Sequence, residues 1–360
     1  MTIKNKMIIP VILAGGAGTR LWPMSTEDKP KQFHNMSGGG TLLEETINRL
    51  KPLSPEEIVI VSSKKYEELS LTEIKKTGLR GTILSEPVPR NTAPAVLYAA
   101  FFLKKKYNDP VMAVLPADHF IKDTKSFVSV ISKGISLADT DYLTTIGIKP
   151  EYPETGYGYI KGTELAGGAS KVDKFTEKPP LAVAQQYIED GNFYWNSGIF
   201  VWKTSVIIEW FKKLLPDMYE QFRSLEALSY EEIASNTDRI WDIKSKIYSS
   251  IKSISIDNGI LENAENRMVI PADFGWADLG SWKSVDDILK CDSSENRTQS
   301  PENSIFVKSN NSTILSEGMT IALVGVSNIT VVQSGNNILV IDKDSSQDVR
   351  DVVDVIKNKG

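Results

Sequence analysis

An apolar run leads directly into a glycine-rich loop in the stretch Ile8-Ile9-Pro10-Val11-Ile12-Leu13-Ala14-Gly15-Gly16-Ala17-Gly18-Thr19-Arg20-Leu21-Trp22-Pro23. The apolar run predicts a buried strand, and the loop begins where that strand ends. Glycines at this point let backbone N–H groups approach a phosphate chain closely, while Arg20 supplies a balancing positive charge. The stretch therefore predicts an α/β fold with a phosphate-binding loop, against the alternative of a tight turn that binds nothing.

This loop differs from the two common phosphate-binding loops. A dinucleotide fingerprint has a third glycine where Leu21 stands, and a P-loop has Gly-Lys-Ser/Thr where Gly18-Thr19-Arg20 stands. The missing glycine disfavours an NAD-dependent oxidoreductase. A second cation, Lys31, follows in Pro30-Lys31-Gln32-Phe33 and strengthens the prediction of a phosphate ligand.

The first two-thirds of the chain alternates short β-branched runs with amphipathic segments. The pairs are Ile8–Leu13 with Leu42–Leu50, Ile58–Ser62 with Tyr66–Lys76, Ile83–Leu84 with Ala93–Lys106, and Val111–Leu115 with Ser126–Leu137. Further strands are predicted at Gly156–Ile160, Lys171–Phe175 and Ser197–Lys203, and helices at Leu181–Glu189, Val206–Phe222 and Tyr230–Asn236. This rhythm predicts a Rossmann-like α/β domain with a mixed, mostly parallel sheet. Ligands are expected at the loops that follow its strands.

A polar stretch near the C-terminus predicts a domain boundary. Residues 292–303 carry no hydrophobic period and contain Pro301, which is typical of a linker. Short β-rich runs separated by Gly, Asn and Ser follow, and a helix is predicted over Gln347–Lys357. We expect a catalytic domain over 1–291, a linker over 292–303 and a small all-β domain with a terminal helix over 304–360. Spacing alone leaves open whether the small domain is a parallel β-helix or a sandwich.

The composition excludes several classes of function. Lys and Arg number 41 against 46 Asp and Glu, giving a net charge of −5, so no basic field is available for nucleic acid. A single cysteine, Cys291, and two histidines cannot build a Cys/His zinc cage, so any metal should be oxygen-bound. No apolar run approaches the roughly 20 residues of a membrane span, and Met1–Lys6 does not begin a signal peptide. We expect a cytoplasmic protein without a nucleic-acid or membrane partner.

Eight short motifs together resemble one family, the sugar-phosphate nucleotidyltransferases, and within it the mannose-1-phosphate guanylyltransferases. They occur in the family's order along nearly the whole chain. The motifs are the glycine loop, Pro30–Phe33, Glu86-Pro87 with Arg90-Asn91-Thr92-Ala93-Pro94, Leu115-Pro116-Ala117-Asp118-His119, Gly156-Tyr157-Gly158-Tyr159-Ile160, Phe175-Thr176-Glu177-Lys178-Pro179, Trp195-Asn196-Ser197-Gly198-Ile199-Phe200 and Trp276-Ala277-Asp278-Leu279-Gly280-Ser281-Trp282. Each motif alone is weak evidence, but the ordered set is specific.

The resemblance implies that a sugar 1-phosphate attacks the α-phosphorus of a nucleoside triphosphate and that pyrophosphate leaves. Such catalysis consists mostly of positioning and charge neutralisation. Arg20 and Lys31 are similar to the family's catalytic cations, with Arg20 expected over the β/γ phosphates and Lys31 near the α-phosphate. Solvent-facing charge is the alternative for both.

A magnesium site is implied by the same resemblance. The family pairs the positions of Asp118 and Asp278 as metal ligands, and Mg²⁺ uses a few carboxylates together with water and phosphate oxygens. From the sequence alone, Asp118 could equally cap the helix that follows it. His119 is expected to be structural, because a sugar phosphate is already an anion and needs no general base.

The remaining site residues are also assigned by resemblance. The sugar phosphate is expected at Gly158, Glu177, Lys178 and Asn196, and the nucleotide at Leu13, Ala14, Gly15, Gly16, Gly18, Thr19, Glu86 and Asn91. GTP and mannose 1-phosphate are the expected substrates. A heptose or fucose phosphate, another nucleotide, or an inactive binding homologue remain alternatives. The C-terminal runs resemble the family's left-handed β-helix, which implies a homodimer.

Overall fold

The computed structural model describes residues 6–16, 18–164 and 168–358. In chain order the strands are β1 (Ile8–Leu13), β2 (Ile58–Ser63), β3 (Gly81–Glu86), β4 (Val111–Pro116), β5 (Phe120–Ile121), β6 (Leu143–Ile148), β7 (Tyr159–Glu164), β8 (Ser170–Thr176), β9 (Phe193–Lys203), β10 (Arg267–Ala272), β11 (Trp276–Ala277), β12 (Arg297–Thr298), β13 (Ser304–Val307), β14 (Thr313–Ser316), β15 (Ile321–Val324), β16 (Ile329–Ser334) and β17 (Asn337–Asp342).

The α-helices are α1 (Leu42–Asn48), α2 (Glu67–Thr77), α3 (Thr92–Tyr107), α4 (Thr124–Leu137), α5 (Leu181–Asp190), α6 (Thr204–Leu214), α7 (Pro216–Phe222), α8 (Tyr230–Ala234), α9 (Asp238–Ser250), α10 (Trp282–Ile288) and α11 (Val349–Lys357). A π-helical turn spans Asp257–Leu261. No helix in these described ranges combines the length and the apolar character needed to cross a membrane.

The chain divides into two compact units that each draw on separate stretches of sequence. The first unit comprises residues 1–15, 47–117 and 121–276, and the second comprises residues 16–46, 118–120 and 277–360. The division falls inside three of the sequence motifs, at Gly15–Gly16, Ala117–Asp118 and Trp276–Ala277. It therefore differs from the division at residues 291 and 304 that the linker composition predicts.

A sheet of nine strands among the described residues forms the centre of the first unit, in the order β3-β2-β1-β4-β9-β6-β10-β8-β7. Strands β3, β2, β1 and β4 pair in parallel, as do β6 and β10. Strand β9 runs antiparallel to both β4 and β6, and β8 runs antiparallel to β10 and β7. The prediction of a mixed, mostly parallel sheet covered by helices is confirmed.

The helices of the first unit pack on its sheet through one large apolar cluster. Helix α3 buries eleven consecutive residues, because its apolar side chains run all round the helix. Phe101 packs against Tyr219 at a ring-centroid distance of 5.7 Å, and Phe222 packs against Tyr248 at 5.8 Å. The helix predicted over Val206–Phe222 is broken into α6 and α7, since Pro216 cannot continue the first helix.

The second unit contains parallel β coils. Strands β12, β14 and β16 pair in parallel, and β13 pairs in parallel with β15. The spacing of the runs left open a β-helix or a sandwich, and a sandwich would consist of antiparallel pairs. The parallel pairs therefore favour a β-helix-like arrangement. Strand β17 ends it and pairs antiparallel with β16. The polar stretch predicted as a linker contains β12, whose Arg297 and Thr298 pair with β14.

Candidate active site

The Lys31 ammonium lies where three segments of the second unit meet. Its side chain is largely buried, and Nζ lies 3.0 Å from Asp118 Oδ2. The same Nζ donates to the backbone carbonyl of Asp278 at 2.8 Å and to that of Leu279 at 3.3 Å. Residues that are up to 248 positions apart in the sequence therefore surround one cationic group.

The Asp118 carboxylate is negatively charged at neutral pH. Burial acts to raise the pKa of Asp118, but the charges of Lys31 and His119 and a hydrogen bond from Lys31 outweigh it and hold the pKa below its usual value. His119 Nε2 lies 4.0 Å from Asp118 Oδ1. A buried carboxylate that stays ionised beside a cation is suited to binding charged ligands.

The backbone around Asp278 is specialised. Asp278 Oδ1 accepts a hydrogen bond from the Gly280 N–H at 3.0 Å, and a Cβ atom at position 280 would lie 2.5 Å from Asp278 Oδ2. Leu279 between them has a φ of 48°, which is strained for a side chain of its size. Glycine at 280 thus allows the carboxylate to fold back over its own backbone.

Gly18 brings the glycine loop against Lys31. Its φ of 58° lies in the left-handed region, and a Cβ there would lie 3.0 Å from Lys31 Cγ and 3.1 Å from Ser25 Oγ. Both the conformation and the space therefore require glycine. Arg20, in the adjacent 3₁₀ turn Thr19–Leu21, is half-buried and makes no hydrogen bond or ion pair with a described residue.

The glycine loop contains several backbone donors that bond to no described residue. Within the ranges the structure describes, the N–H groups of Gly15, Gly16 and Gly18 donate to no other residue. The Ala14 N–H, in contrast, donates to Val61 O at 2.8 Å and is not available to a ligand. Ala17 and the side chain of Thr19 lie outside the described part of the chain.

In the first unit, Glu86 ends β3 and approaches Gly15 from across the sheet. A Cβ atom at Gly15 would lie 3.4 Å from Glu86 Oε2, while Tyr248 donates its hydroxyl proton to Glu86 Oε1 at 3.0 Å. Burial raises the pKa of Glu86 to about 7, although the hydrogen bond from Tyr248 opposes the rise. The carbonyl of Tyr248 also accepts from Arg90 Nε at 2.9 Å, so one residue of α9 contacts both Glu86 and Arg90.

Asn91 begins α3 in a conformation that is uncommon for its residue type. Its φ is 68° and its ψ is −168°, and its side chain accepts a hydrogen bond from the Thr92 N–H at 2.9 Å. Asn91 is exposed. Such strained residues cluster at functional sites, which supports a role for this position.

A second group in the first unit surrounds Gly158. A Cβ atom at Gly158 would lie 2.5 Å from Glu177 Oε2 and 3.2 Å from Asn196 Cβ. Lys178 Nζ lies 2.6 Å from Glu177 Oε1, and the Asn196 N–H donates to Gly158 O at 2.8 Å. Glu177 Oε2 is buried and has no hydrogen-bond partner among the described residues. This orphaned acceptor indicates a place for a donor from a ligand.

Comparison with known proteins identifies the family. The nucleotidyl transferase family model matches residues 9–295, and the model of the MannoseP isomerase/GMP-like β-helix domain matches residues 302–356. The chain belongs to the nucleotidyl transferase family. The two matched domains, a nucleotidyl transferase domain and a β-helix domain, agree with the fold class predicted from the sequence.

Named relatives resemble this nucleotidyl transferase along almost its full length. A "Putative mannose-1-phosphate guanylyltransferase" of Vibrio cholerae is 36% identical over 98% of this chain and 75% of its own length. "Mannose-1-phosphate guanylyltransferase RfbM" of Salmonella typhimurium is 40% identical over 97% of this chain and 72% of its own. A solved structure from Thermus thermophilus, titled "mannose-1-phosphate geranyltransferase", matches with a TM-score of 0.86 and 30% identity over 97% of this chain and 99% of that one.

The structure of this nucleotidyl transferase groups the residues expected at its site into three sets. Lys31 contacts Asp118 and Asp278 in the second unit. Gly15 approaches Glu86, and Gly158 approaches Glu177 and Asn196, in the first unit. Three further expected residues lie outside these sets. Leu13 and Ala14 have apolar side chains, and the side chain of Asn91 accepts a hydrogen bond from the N–H of its neighbour, Thr92.

Two polar residues of the sets were not predicted from the sequence. Tyr248 lies on α9, and Asp257 begins the π-helical turn; Asp257 accepts a hydrogen bond from Asn196 Nδ2 at 2.8 Å. Neither belongs to a recognised motif. The sequence signal for Asp257 is its position directly after the alternating stretch Ile254-Ser255-Ile256.

Proposed function

We propose that this nucleotidyl transferase transfers GMP from GTP to mannose 1-phosphate, giving GDP-mannose and pyrophosphate. The names of relatives that are 36% and 40% identical support the substrate pair. The observation that carries the proposed chemistry is the contact of Lys31 Nζ with the Asp118 carboxylate at 3.0 Å and with the Asp278 backbone carbonyl at 2.8 Å.

In the proposed reaction, an oxygen of the sugar phosphate forms a bond to the α-phosphorus of GTP. The bond between that phosphorus and the bridging oxygen of the β-phosphate breaks, and pyrophosphate leaves with its electron pair. Lys31 and Arg20 would neutralise the charge that spreads over the phosphate chain. The N–H groups of Gly15, Gly16 and Gly18 would donate to phosphate oxygens.

Magnesium is the proposed cofactor, held by Asp118 and Asp278. The residues fit a hard cation, because Asp118 offers an ionised carboxylate and Asp278 offers a second carboxylate that the Gly280 N–H holds in place. Among the described residues, no group of three or more His, Cys, Asp or Glu side chains is suited to a metal. When bound, Mg²⁺ supplies further neutralisation of phosphate charge.

The remaining residues are assigned to the two substrates. Glu86 would accept from the guanine base, and Asn91 would contact the nucleotide near it. Leu13, Ala14 and Thr19 would shape the phosphate loop through their backbone. Gly158, Glu177, Lys178 and Asn196 would bind the sugar phosphate, with Lys178 facing its phosphate.

We further propose a catalytic domain over 1–291, a linker over 292–303 and a small domain over 304–360. Family matches over 9–295 and 302–356 support this division. A cytoplasmic homodimer is proposed on the basis of the composition and the family resemblance. Light scattering of the purified chain tests the dimer.

The function is tested by pyrophosphate release from purified protein with Mg²⁺. GTP, ATP, UTP and dTTP are each combined with mannose 1-phosphate, glucose 1-phosphate and a heptose 1-phosphate. We expect release with GTP and mannose 1-phosphate, its loss in Asp278→Asn, and no change in the matched control Asp351→Asn, an exposed residue of α11. Pyrophosphate release with another pair would identify that pair as the substrates. No release with any pair would favour an inactive binding homologue.

A further inference from the structure

Asp257 occupies a position next to the sugar-binding residues that no motif predicts. It begins the π-helical turn Asp257–Leu261, a rare element that often occurs at functional sites. Its Oδ1 accepts a hydrogen bond from Asn196 Nδ2 at 2.8 Å. Three neighbouring residues, Asp257, Asn196 and Glu177, are all half-buried, so this cluster is partly open to a ligand.

The hydrogen bonds of Asn196 fix the orientation of its amide. Its Oδ1 accepts from the Gly198 N–H at 3.1 Å and from Thr145 Oγ1 at 3.3 Å. A backbone N–H can only donate, so this end of the amide must be the oxygen. Nδ2 carries two hydrogens, and Asp257 takes one of them. One donor of Asn196 therefore remains for another partner.

An acceptor lies beside this remaining donor. Glu177 Oε2 is buried without a hydrogen-bond partner in the described part of the chain, whereas Oε1 is paired with Lys178. The Cβ position that Gly158 leaves empty lies 2.5 Å from Glu177 Oε2 and 3.6 Å from Asn196 Nδ2. A donor and an acceptor thus flank one small space, and a hydroxyl group can satisfy both because it donates and accepts at once.

We propose that Asp257 is a positioning residue that holds the Asn196 amide so that Asn196 Nδ2 and Glu177 Oε2 bind one hydroxyl of the sugar phosphate. This inference rests on the proposed function, because it assigns the hydroxyl to the sugar 1-phosphate. A substrate analogue that lacks this hydroxyl leaves both protein groups without partners, so the pair also determines specificity.

The charges around Asp257 give the proposal a pH signature. Burial, and then the negative charge of Glu177, raise the pKa of Asp257 to about 7, while the hydrogen bond from Asn196 and the charge of Lys178 oppose the rise. Glu262 also faces this group, since its Oε1 accepts from the Glu177 N–H at 3.1 Å. Protonation converts Asp257 from an ionised to a neutral acceptor, so it weakens the hydrogen bond that holds Asn196 Nδ2. Affinity for the sugar phosphate should therefore rise as the pH rises through about 7.

The test uses the full chain and Asp257→Asn, which keeps an oxygen for Asn196 and carries a permanent N–H donor in place of the proton. Mannose 1-phosphate is titrated calorimetrically about one pH unit below and above the pKa of about 7, with and without a non-hydrolysable GTP analogue. We expect Asp257→Asn to weaken binding roughly tenfold at the higher pH and much less at the lower pH. The phosphate of mannose 1-phosphate also titrates, at about pH 6. The change in affinity of Asp257→Asn between the two pH values measures that contribution alone, because the variant has no proton at Asp257.

The matched control is Asp173→Asn, an exposed carboxylate that accepts from Thr163 Oγ1. It should bind mannose 1-phosphate as the wild type does at both pH values. Equal affinity of Asp257→Asn and wild type would overturn the proposal. So would an equal loss at both pH values with a lowered melting temperature, because that pattern indicates a merely structural role.

A steady-state measurement separates this inference from the proposed function. Asp257→Asn should raise KM for the sugar 1-phosphate and leave KM for GTP unchanged. If the wild type binds mannose 1-phosphate but releases no pyrophosphate with any nucleotide, the proposed function fails and the binding experiment still decides the role of Asp257. If the wild type binds no sugar 1-phosphate, the inference is overturned.

Discussion

The ammonium group of Lys31 and the carboxylate of Asp118 form an ion pair of 3.0 Å in which both side chains are mostly shielded from water. The pair brings a basic motif near the N-terminus together with an acidic residue that follows β4. Because Lys31 also contacts the carbonyls of Asp278 and Leu279, it links the segments that carry the two proposed metal ligands, Asp118 and Asp278.

Removal of the Lys31 charge should abolish most of the activity. Lys31→Met keeps the length of the side chain but removes the cation from the phosphate site, and we expect kcat to fall about a hundredfold or more. Pyrophosphate release measures the effect. Lys29→Met, an exposed lysine two residues earlier, is the control and should retain activity. Comparable rates for Lys31→Met and wild type would show that Lys31 is not catalytic.

A methyl group at Gly18 should destabilise the chain. Gly18→Ala places a side chain at a φ of 58° and within 3.0 Å of Lys31 Cγ, so we expect a loss of roughly 1–3 kcal/mol of unfolding free energy. Urea unfolding monitored by circular dichroism measures it. Gly16→Ala is the matched control for stability, since its Cβ would meet nothing within 4 Å and its φ needs no glycine. Equal midpoints for the two variants would contradict the argument.

A methyl group at Gly158 should impair sugar recognition selectively. In Gly158→Ala the new Cβ would lie 2.5 Å from Glu177 Oε2, so the carboxylate must move away from the position in which it accepts the hydroxyl. We expect KM for mannose 1-phosphate to rise about tenfold, which corresponds to one charge-assisted hydrogen bond. KM for GTP is the internal control. A parallel rise in both constants would indicate a general disturbance of the fold instead.

Glu86 should make stability depend on pH in a defined direction. Its pKa is about 7 in the folded chain, because of burial, against an ordinary value of 4.5. Between these values the folded chain keeps a proton that the unfolded chain has released, so the free energy of unfolding falls as pH rises from about 4.5 to about 7. Glu86→Gln should flatten this fall.

Urea midpoints at several pH values compare Glu86→Gln with wild type and with Glu302→Gln, a control at an exposed position. Tyr248→Phe should shift the fall to higher pH, because it removes the hydrogen bond that lowers the pKa of Glu86. Asp257 contributes a fall of the same sign in every variant. Identical pH profiles for Glu86→Gln and wild type would refute the role of Glu86.

The local pattern of the sequence predicted most of the secondary structure. Runs of β-branched residues gave β1, β2 and β4 within a residue, because a strand buried on both faces must be apolar throughout. The strand predicted from Gly156 begins only at Tyr159, since Gly156 and Gly158 precede it in an irregular loop. Helix α9 and strand β10 were not predicted from the sequence, although they have 13 and 6 residues.

The sequence by itself determined the α/β class, the spacing of the C-terminal β runs and the residue types available for phosphate chemistry, because these depend on local periodicity and on the identity of side chains. Only the tertiary structure decided which distant residues meet. Lys31 reaches Asp118 and Asp278, Tyr248 reaches Glu86, and Asp257 reaches Asn196, since sheet pairing and helix packing bring them together across 61 to 247 positions of sequence. Contacts of that kind leave no periodic signal in the chain, so the positioning of the candidate site became visible only once the backbone was folded.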